Sequence, residues 1–183
     1  MGSLLNFPEF RARIAAMIDE LSRGETSVLT RMAADLQAAF AGMNLYPQSP
    51  PSLPLVMLIS GSENNGRRDL TSAVVAEEAA GALFTSPLPG LLVDTPVPLY
   101  EADALFGGVP RALPRMLVVH GTLDPNTPYE GARLHAETLA SIGALHFTTV
   151  VGGAHNLAFT APDCFATAAS AFVAGKTAPE ICR

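Results

Sequence analysis

The sequence has little of what marks several common classes of protein. It contains no tryptophan, and only 15% of its residues are charged, with 11 Lys and Arg against 17 Asp and Glu. The few cations are scattered, whereas a protein that binds nucleic acid or an anionic membrane gathers them on one face. We therefore expect no nucleic acid partner.

Long apolar runs are also missing. The longest, 53–59, is interrupted by Pro54 and falls far short of the roughly 20 residues that a membrane-spanning helix needs. No basic region precedes an apolar stretch near the N-terminus, so the pattern shows no secretion signal. We expect no membrane partner, and the sequence alone leaves the localisation open.

The chain has two cysteines, Cys164 and Cys182, and neither lies in a CxxC motif or a His-rich cluster. This pattern disfavours a zinc site, and we expect neither a metal nor an organic cofactor. The spacing by itself leaves a disulfide and a pair of free thiols equally open.

Composition divides the 183 residues into three zones. Residues 1–45 carry two stretches of helical periodicity, which predict an amphipathic hairpin. Residues 46–54 form a Pro-rich linker, because proline fixes φ and lacks the N–H that helices and central strands need. Residues 55–183 alternate apolar runs with helical patterns and form the third zone.

Two apolar runs in the third zone predict buried strands at 55–59 and 116–119, and a run rich in β-branched residues predicts a third strand at 146–151. Helical patterns separate them, and this order is typical of an α/β fold with a parallel sheet covered on both faces. Three strands are too few for a complete open sheet of this kind. We therefore expect the isolated chain to be marginally stable, or to self-associate through an exposed sheet edge.

Polar side chains follow two of these strands. Asp124 comes shortly after the run at 116–119, and His155 shortly after the run at 146–151. The 31 residues from one to the other (155 − 124) make one crossover unit, so the two loops should lie side by side at the carboxyl ends of adjacent strands. An imidazole that acts as a general base needs a carboxylate on its far ring nitrogen, and this spacing predicts such a pair.

The residues around this pair resemble a known family. MLVVHGTLDPNTP at 116–128 and VGGAHN at 151–156 resemble the C-terminal part of α/β-hydrolase serine peptidases, in particular the tripeptidyl aminopeptidase-like branch. The resemblance implies that Asp124 and His155 are the acid and the histidine of a catalytic triad, with a peptide or ester as substrate. It also implies that residues 1–45 are a helical lid-like segment, and that the protein is secreted or extracytoplasmic.

The resemblance extends to the cysteines. Cys164 stands at the start of the last predicted helix and Cys182 next to the C-terminus, as in the family. This implies a Cys164–Cys182 disulfide, provided that the protein matures in an oxidising compartment.

The family nucleophile is less easily placed, because no G-x-S-x-G elbow occurs in the chain. If the resemblance holds, a serine-bearing hydrolase segment elsewhere completes the site. The alternatives are a non-catalytic remnant that only binds, and a small autonomous esterase that uses Ser62. Against the last, Ser60 and Asn64 occupy the two glycine positions of the elbow. Glu63, in the same turn, is a candidate anchor for a substrate ammonium group, although a solvated turn residue is the simpler interpretation.

Overall fold

A computed structural model of the protein describes residues 2–43, 49, 52–82, 85–86, 88–93, 95–101, 103 and 105–183. The chain divides into two compact units, one made of residues 3–45 and 109–183 and the other of residues 46–108. The domain boundaries that the sequence suggests stay a prediction. In the linker, Pro47, Pro50 and Pro51 lie outside the described residues.

The predicted helical hairpin is present. A short 3-10 turn, Gly2–Asn6, leads into α1 (Pro8–Ser22), and α2 (Ser27–Met43) follows. Pro8 occupies the first turn of α1, where its missing N–H leaves no hydrogen bond unmade. Apolar side chains at helical spacing form the core of the hairpin, whose buried members are Leu4, Phe7, Phe10, Met17 and Met32.

The strand predicted at 55–59 is wrong. The unit formed by residues 46–108 holds α3 (Leu53–Ile59), a π-helical turn at Ser60–Asn64, α4 (Ser72–Ala80) and α5 (Leu88–Leu92). Periodicity does not separate a short apolar run in a strand from one in a helix, and Pro54 fits the first turn of a helix. The run is also not buried, since Leu55 is 53% exposed.

The other two predicted strands are confirmed, and they lie beside each other. The structure has β1 (Met116–Gly121), α6 (Tyr129–Ala140), β2 (Leu145–Val150), α7 (Leu157–Thr160), α8 (Pro162–Val173) and β3 (Ile181–Cys182). In the described residues the sheet order is β1–β2–β3, and both pairings are parallel. Met116 pairs with Leu145 and Gly121 with Val150, so the two strands end together.

The burial predicted for the strand at 116–119 is wrong. Residues 116–120 of β1 are half-buried, and only Gly121 is fully buried. Within the described part of the chain, β1 pairs with β2 alone and forms an edge of the sheet. An apolar strand of this composition is more often covered on both sides by neighbouring strands.

The disulfide joins the C-terminal tail to the core of the sheet unit. Cys164 at the start of α8 is bonded to Cys182 in β3, with the two Cα atoms 5.8 Å apart. Cys164 also packs in a cluster with Val150 and Leu157. The predicted disulfide is therefore confirmed, and it holds the two-residue strand β3 against β2.

No helix among the described residues has the length and apolarity needed to cross a membrane.

Replacing both cysteines by serine should lower the free energy of unfolding by about 3 kcal/mol, because the bridge closes a loop between residues 18 apart and so restricts the unfolded chain. Urea unfolding of the oxidised protein and the double variant measures this difference. Addition of a reductant should destabilise the oxidised protein and leave the double variant unchanged. Equal unfolding midpoints for the two proteins would contradict the prediction.

Candidate active site at the ends of two parallel strands

The close approach of two backbones brings the loop after β1 to the loop after β2. A Cβ atom added at Gly121 would lie 2.3 Å from the carbonyl oxygen of Gly153 and 2.9 Å from that of Ala154. No side chain fits in that space. The N–H of Leu123 donates to the carbonyl of Gly153 at 2.9 Å, and the N–H of Gly152 donates to Oγ1 of Thr122 at 2.8 Å. The first loop is therefore fixed to the second just before Asp124.

The Asp124 carboxylate is held by its own loop. Its Oδ1 accepts from the backbone N–H groups of Asn126 at 2.8 Å and Thr127 at 2.9 Å, while Oδ2 accepts from the Thr127 hydroxyl at 2.9 Å. Asp followed two and three residues later by N–H donors is an Asx turn, in which the side chain stands in for a turn of backbone. The side chain is only 7% exposed, so it cannot swing into solvent.

His155 completes the pair. Its Nδ1 lies 2.9 Å from Oδ2 of Asp124 and 3.1 Å from Oδ1. Since an ionised carboxylate only accepts hydrogen bonds, Nδ1 carries the proton and Nε2 of the neutral ring carries the lone pair. The His155 carbonyl is held in turn by Oγ1 of Thr160 at 3.0 Å. Among the described residues, Nε2 has no hydrogen-bond partner.

Sharp backbone geometry on both sides of His155 sets its direction. Gly152 has φ +75°, a conformation that side-chain-bearing residues rarely adopt. Asn156 has φ +58°, and asparagine is among the few other residues that tolerate this region. These two positions let the chain leave β2, present His155 to Asp124 and enter α7 within a few residues.

The environment of Asp124 keeps it ionised. Burial raises the pKa of its carboxyl, but the hydrogen bonds from the Thr127 N–H, the His155 ring, the Asn126 N–H and the Thr127 hydroxyl lower it more. The pKa falls from 3.8 to about 2 as a result. Asp124 is therefore an anion at every pH at which an imidazole could act as a base.

A cavity of about 320 Å³ opens beside the pair. Asp124 and His155 line it together with mainly apolar side chains and backbone. The remaining lining residues are Val119, His120, Gly121, Thr127, Asn156, Leu157, Ala158 and Phe165. The site thus places the ring of His155 and the Asp124 carboxylate beside a small, partly apolar space.

A family model described as TAP-like protein, an α/β-hydrolase family, matches residues 97–181. Residues 97–181 are a TAP-like α/β-hydrolase region. The match includes Asp124 and His155 and the first residue of β3. No curated protein and no solved structure matches the chain.

Sequence reasoning missed two contacts between the helical hairpin and the Asp124 loop of the TAP-like region. The guanidinium of Arg11 in α1 donates to the carbonyl oxygen of Leu123, and Nδ2 of Asn126 donates to Oδ1 of Asn6 at 3.2 Å. These contacts lie on either side of Asp124. Their partners are 112 and 120 residues apart in the chain, and no local pattern signals contacts at such separations.

Ser62 lies outside the matched TAP-like residues, in the other compact unit. The strand expected before it is helix α3, so the strand–turn–helix setting of a nucleophile elbow is not present there. Its side chain is 1% exposed, and its Oγ accepts from the N–H of Tyr100 at 3.1 Å. This setting is that of a structural hydroxyl, and the nucleophilic role of Ser62 stays an untested prediction.

Glu63 follows Ser62 in the π-helical turn and accepts a hydrogen bond from the Tyr100 hydroxyl. This bond and the negative charge of Glu63 raise the pKa of the tyrosine. The carboxylate thus already has a partner within its own unit. Its role as an anchor for a substrate ammonium group stays a prediction. Within the described ranges, no three His, Cys, Asp or Glu side chains are arranged to hold a metal ion.

Asp124→Asn should remove a pH-dependent part of the stability. Because the folded-state pKa lies below its usual value, Asp124 stabilises the fold fully above about pH 5, and this contribution is lost as the pH falls towards 2. The shift corresponds to about 2 kcal/mol. Urea unfolding between pH 2 and 6 should give a wild-type curve that converges on the Asn variant at the acid end. The exposed Asp163→Asn variant is the control and should stay parallel to the wild type.

Gly121→Ala should separate the two loops, because the new methyl group meets backbone rather than a movable side chain. We expect a loss of about 1 to 3 kcal/mol in the free energy of unfolding and a weaker Asp124–His155 contact. Gly131→Ala on α6 is the control, because open space surrounds its Cβ. That variant should gain up to about 1 kcal/mol. A Gly121→Ala variant as stable as the wild type would show that the loops do not depend on this close approach.

Proposed function

We propose that this chain supplies the acid, Asp124, and the general base, His155, of a TAP-like serine hydrolase acting on a peptide or ester. The nucleophile would come from a separate serine-bearing hydrolase segment. The observation that carries the proposal is the Asp124–His155 contact of 2.9 Å within a region that matches the TAP-like family.

The geometry supports a defined proton path. With Nδ1–H donating to Asp124, Nε2 of His155 can take the proton of a serine hydroxyl as that oxygen attacks the carbonyl carbon of the substrate. The imidazolium formed is stabilised by the Asp124 carboxylate, which stays ionised. His155 then returns the proton to the leaving amine or alcohol, and the cycle repeats with water in place of the serine hydroxyl.

The free edge of the sheet supports a second segment as the source of the serine. β1 carries an apolar sequence but is half-buried and pairs on one side only within the described residues. An open strand edge of this kind accepts a strand from another chain through backbone hydrogen bonds. In this proposal the sheet of residues 109–183 is the C-terminal portion of a larger α/β-hydrolase sheet.

The helical hairpin supports a lid-like role for residues 1–45. Arg11 and Asn6 contact the loop that carries Asp124, on either side of that residue. A segment in this position can limit access to the cavity beside His155, in the way that lids of hydrolases exclude water and select substrates.

The proposal is tested by fluorophosphonate labelling. The tagged chain is recovered, together with any bound partner, from the cells that express it, and is then treated with the label. We expect the label on a serine of a co-recovered polypeptide, within a G-x-S-x-G sequence located by mass spectrometry. Labelling should fall roughly 1,000-fold or more in His155→Ala, because the serine then lacks its base. His135→Ala is the matched control, an exposed histidine on α6 that should leave labelling unchanged.

Two outcomes would overturn the proposal. A label on Ser62 of the isolated chain, with ester turnover lost in His155→Ala, would make the protein an autonomous esterase. The absence of any label that depends on His155, in a folded protein with bound partners, would make it a non-catalytic hydrolase remnant.

A further inference from the structure

The structure places a second histidine against the acid of the site. His120, the fifth residue of β1, has Nε2 3.4 Å from Oγ1 of Thr127 and 4.0 Å from Oδ2 of Asp124. Its side chain is 12% exposed. Nδ1 of the same ring lies 3.1 Å from the carbonyl oxygen of Gly121. A carbonyl oxygen only accepts hydrogen bonds, so Nδ1 carries a proton.

We propose that His120 is a positioning residue for Asp124 and that it acts through the hydroxyl of Thr127. The proposal rests on the proposed function only in so far as Asp124 orients His155 for catalysis. Its physical basis is the number of hydrogens available in this cluster.

The Thr127 hydroxyl has one hydrogen and two acceptors within reach. One is Oδ2 of Asp124 at 2.9 Å, and the other is Nε2 of His120 at 3.4 Å when that nitrogen is unprotonated. When Nε2 carries a proton, it faces only oxygens and donates to Thr127. The hydroxyl hydrogen then goes to Asp124. When Nε2 is unprotonated, the hydroxyl can turn to it, and Asp124 keeps its two backbone donors and His155.

Protonation of His120 therefore changes which groups interact with the Asp124 carboxylate. The protonated ring adds the threonine hydrogen bond and a positive charge near Oδ2 of Asp124, the oxygen that also lies 2.9 Å from Nδ1 of His155. Both interactions weaken the ability of the carboxylate to stabilise a protonated His155. When the His120 ring is neutral, the carboxylate stabilises a protonated His155 more strongly.

Among the described residues, aromatic rings pack against the imidazole of His120. Phe147 of β2 stacks on the ring, with centroids 6.3 Å apart and planes inclined by 17°, and Tyr129 of α6 meets its edge at 6.0 Å. Arg133 of α6 lies over the ring of Phe147, 5.2 Å from its centroid. The aromatic contacts hold the imidazole in place. A change in its protonation therefore acts on its polar neighbours, Thr127 and Asp124, and does not move the ring.

Nuclear magnetic resonance of the full chain labelled with ¹⁵N in histidine tests this inference without any turnover. Long-range ¹H–¹⁵N correlation reports the tautomer and protonation of each ring as the pH is varied. We expect the proton of neutral His120 on Nδ1. We also expect a second inflection in the His155 signals at the pH where His120 titrates. Thr127→Val, which keeps the backbone N–H and removes the hydroxyl, should make that second inflection clearly smaller, because only the charge of His120 then acts on Asp124.

The controls separate the hydroxyl from the fold. Thr127→Ser should keep the second inflection, and His135→Gln should leave it unchanged. Thr127→Ala serves as a second hydroxyl-free variant if the amide spectrum of Thr127→Val shows that valine disturbs the loop. A neutral His120 protonated on Nε2, a single His155 transition in the wild type, or a second inflection of full size in both hydroxyl-free variants would overturn the proposal. None of these results depends on finding a nucleophilic serine.

Discussion

The site depends on the backbone contact between Gly121 and Gly153. Parallel pairing of β1 and β2 ends both strands at the same level, but it leaves the loops as far apart as the strands that carry them. The backbones at Gly121 and Gly153 approach each other more closely than a Cβ atom at Gly121 would allow. This approach, and the hydrogen bond from the Leu123 N–H to the Gly153 carbonyl, bring the two loops together. A carboxylate on one strand can then reach an imidazole on its neighbour without a long, mobile side chain.

Once the loops meet, the hydrogen bonds of Asp124 decide what the pair can do. A buried carboxyl without partners would bind a proton and could not stabilise an imidazolium. Two backbone N–H groups, one hydroxyl and His155 reverse that tendency and keep the carboxylate charged. The same set of donors links Asp124 to Thr127 and, through its hydroxyl, to His120. The hydrogen-bonded contacts around Asp124 therefore extend from His155 through Thr127 to His120.

The expectations that failed did so where local pattern is ambiguous. The run at 55–59 is apolar and short. Such a run can form a strand where other strands lie beside it, or a helix where no strand is adjacent. Its neighbours in the structure are helices, and the run is helical. The interpretation of Ser62 as an elbow serine relied on that strand, and its nucleophilic role stays an untested prediction. By contrast, the runs at 116–119 and 146–151 lie next to each other in the sheet and form strands close to their predicted bounds.

The sequence alone determined the hairpin, the two main strands, the parallel α/β order and the pair Asp124 and His155, because helical period, β-branched runs and loop motifs are local in the chain. The family resemblance added the disulfide. Only the tertiary structure decided the helix at 53–59, the half-buried edge of β1, the contacts of Arg11 and Asn6 with the Asp124 loop, and the place of His120 beside Thr127. The contacts of Arg11 and Asn6 join residues more than 100 positions apart in the chain. The other three features depend on how segments pack against each other in space, which the neighbouring sequence does not reveal.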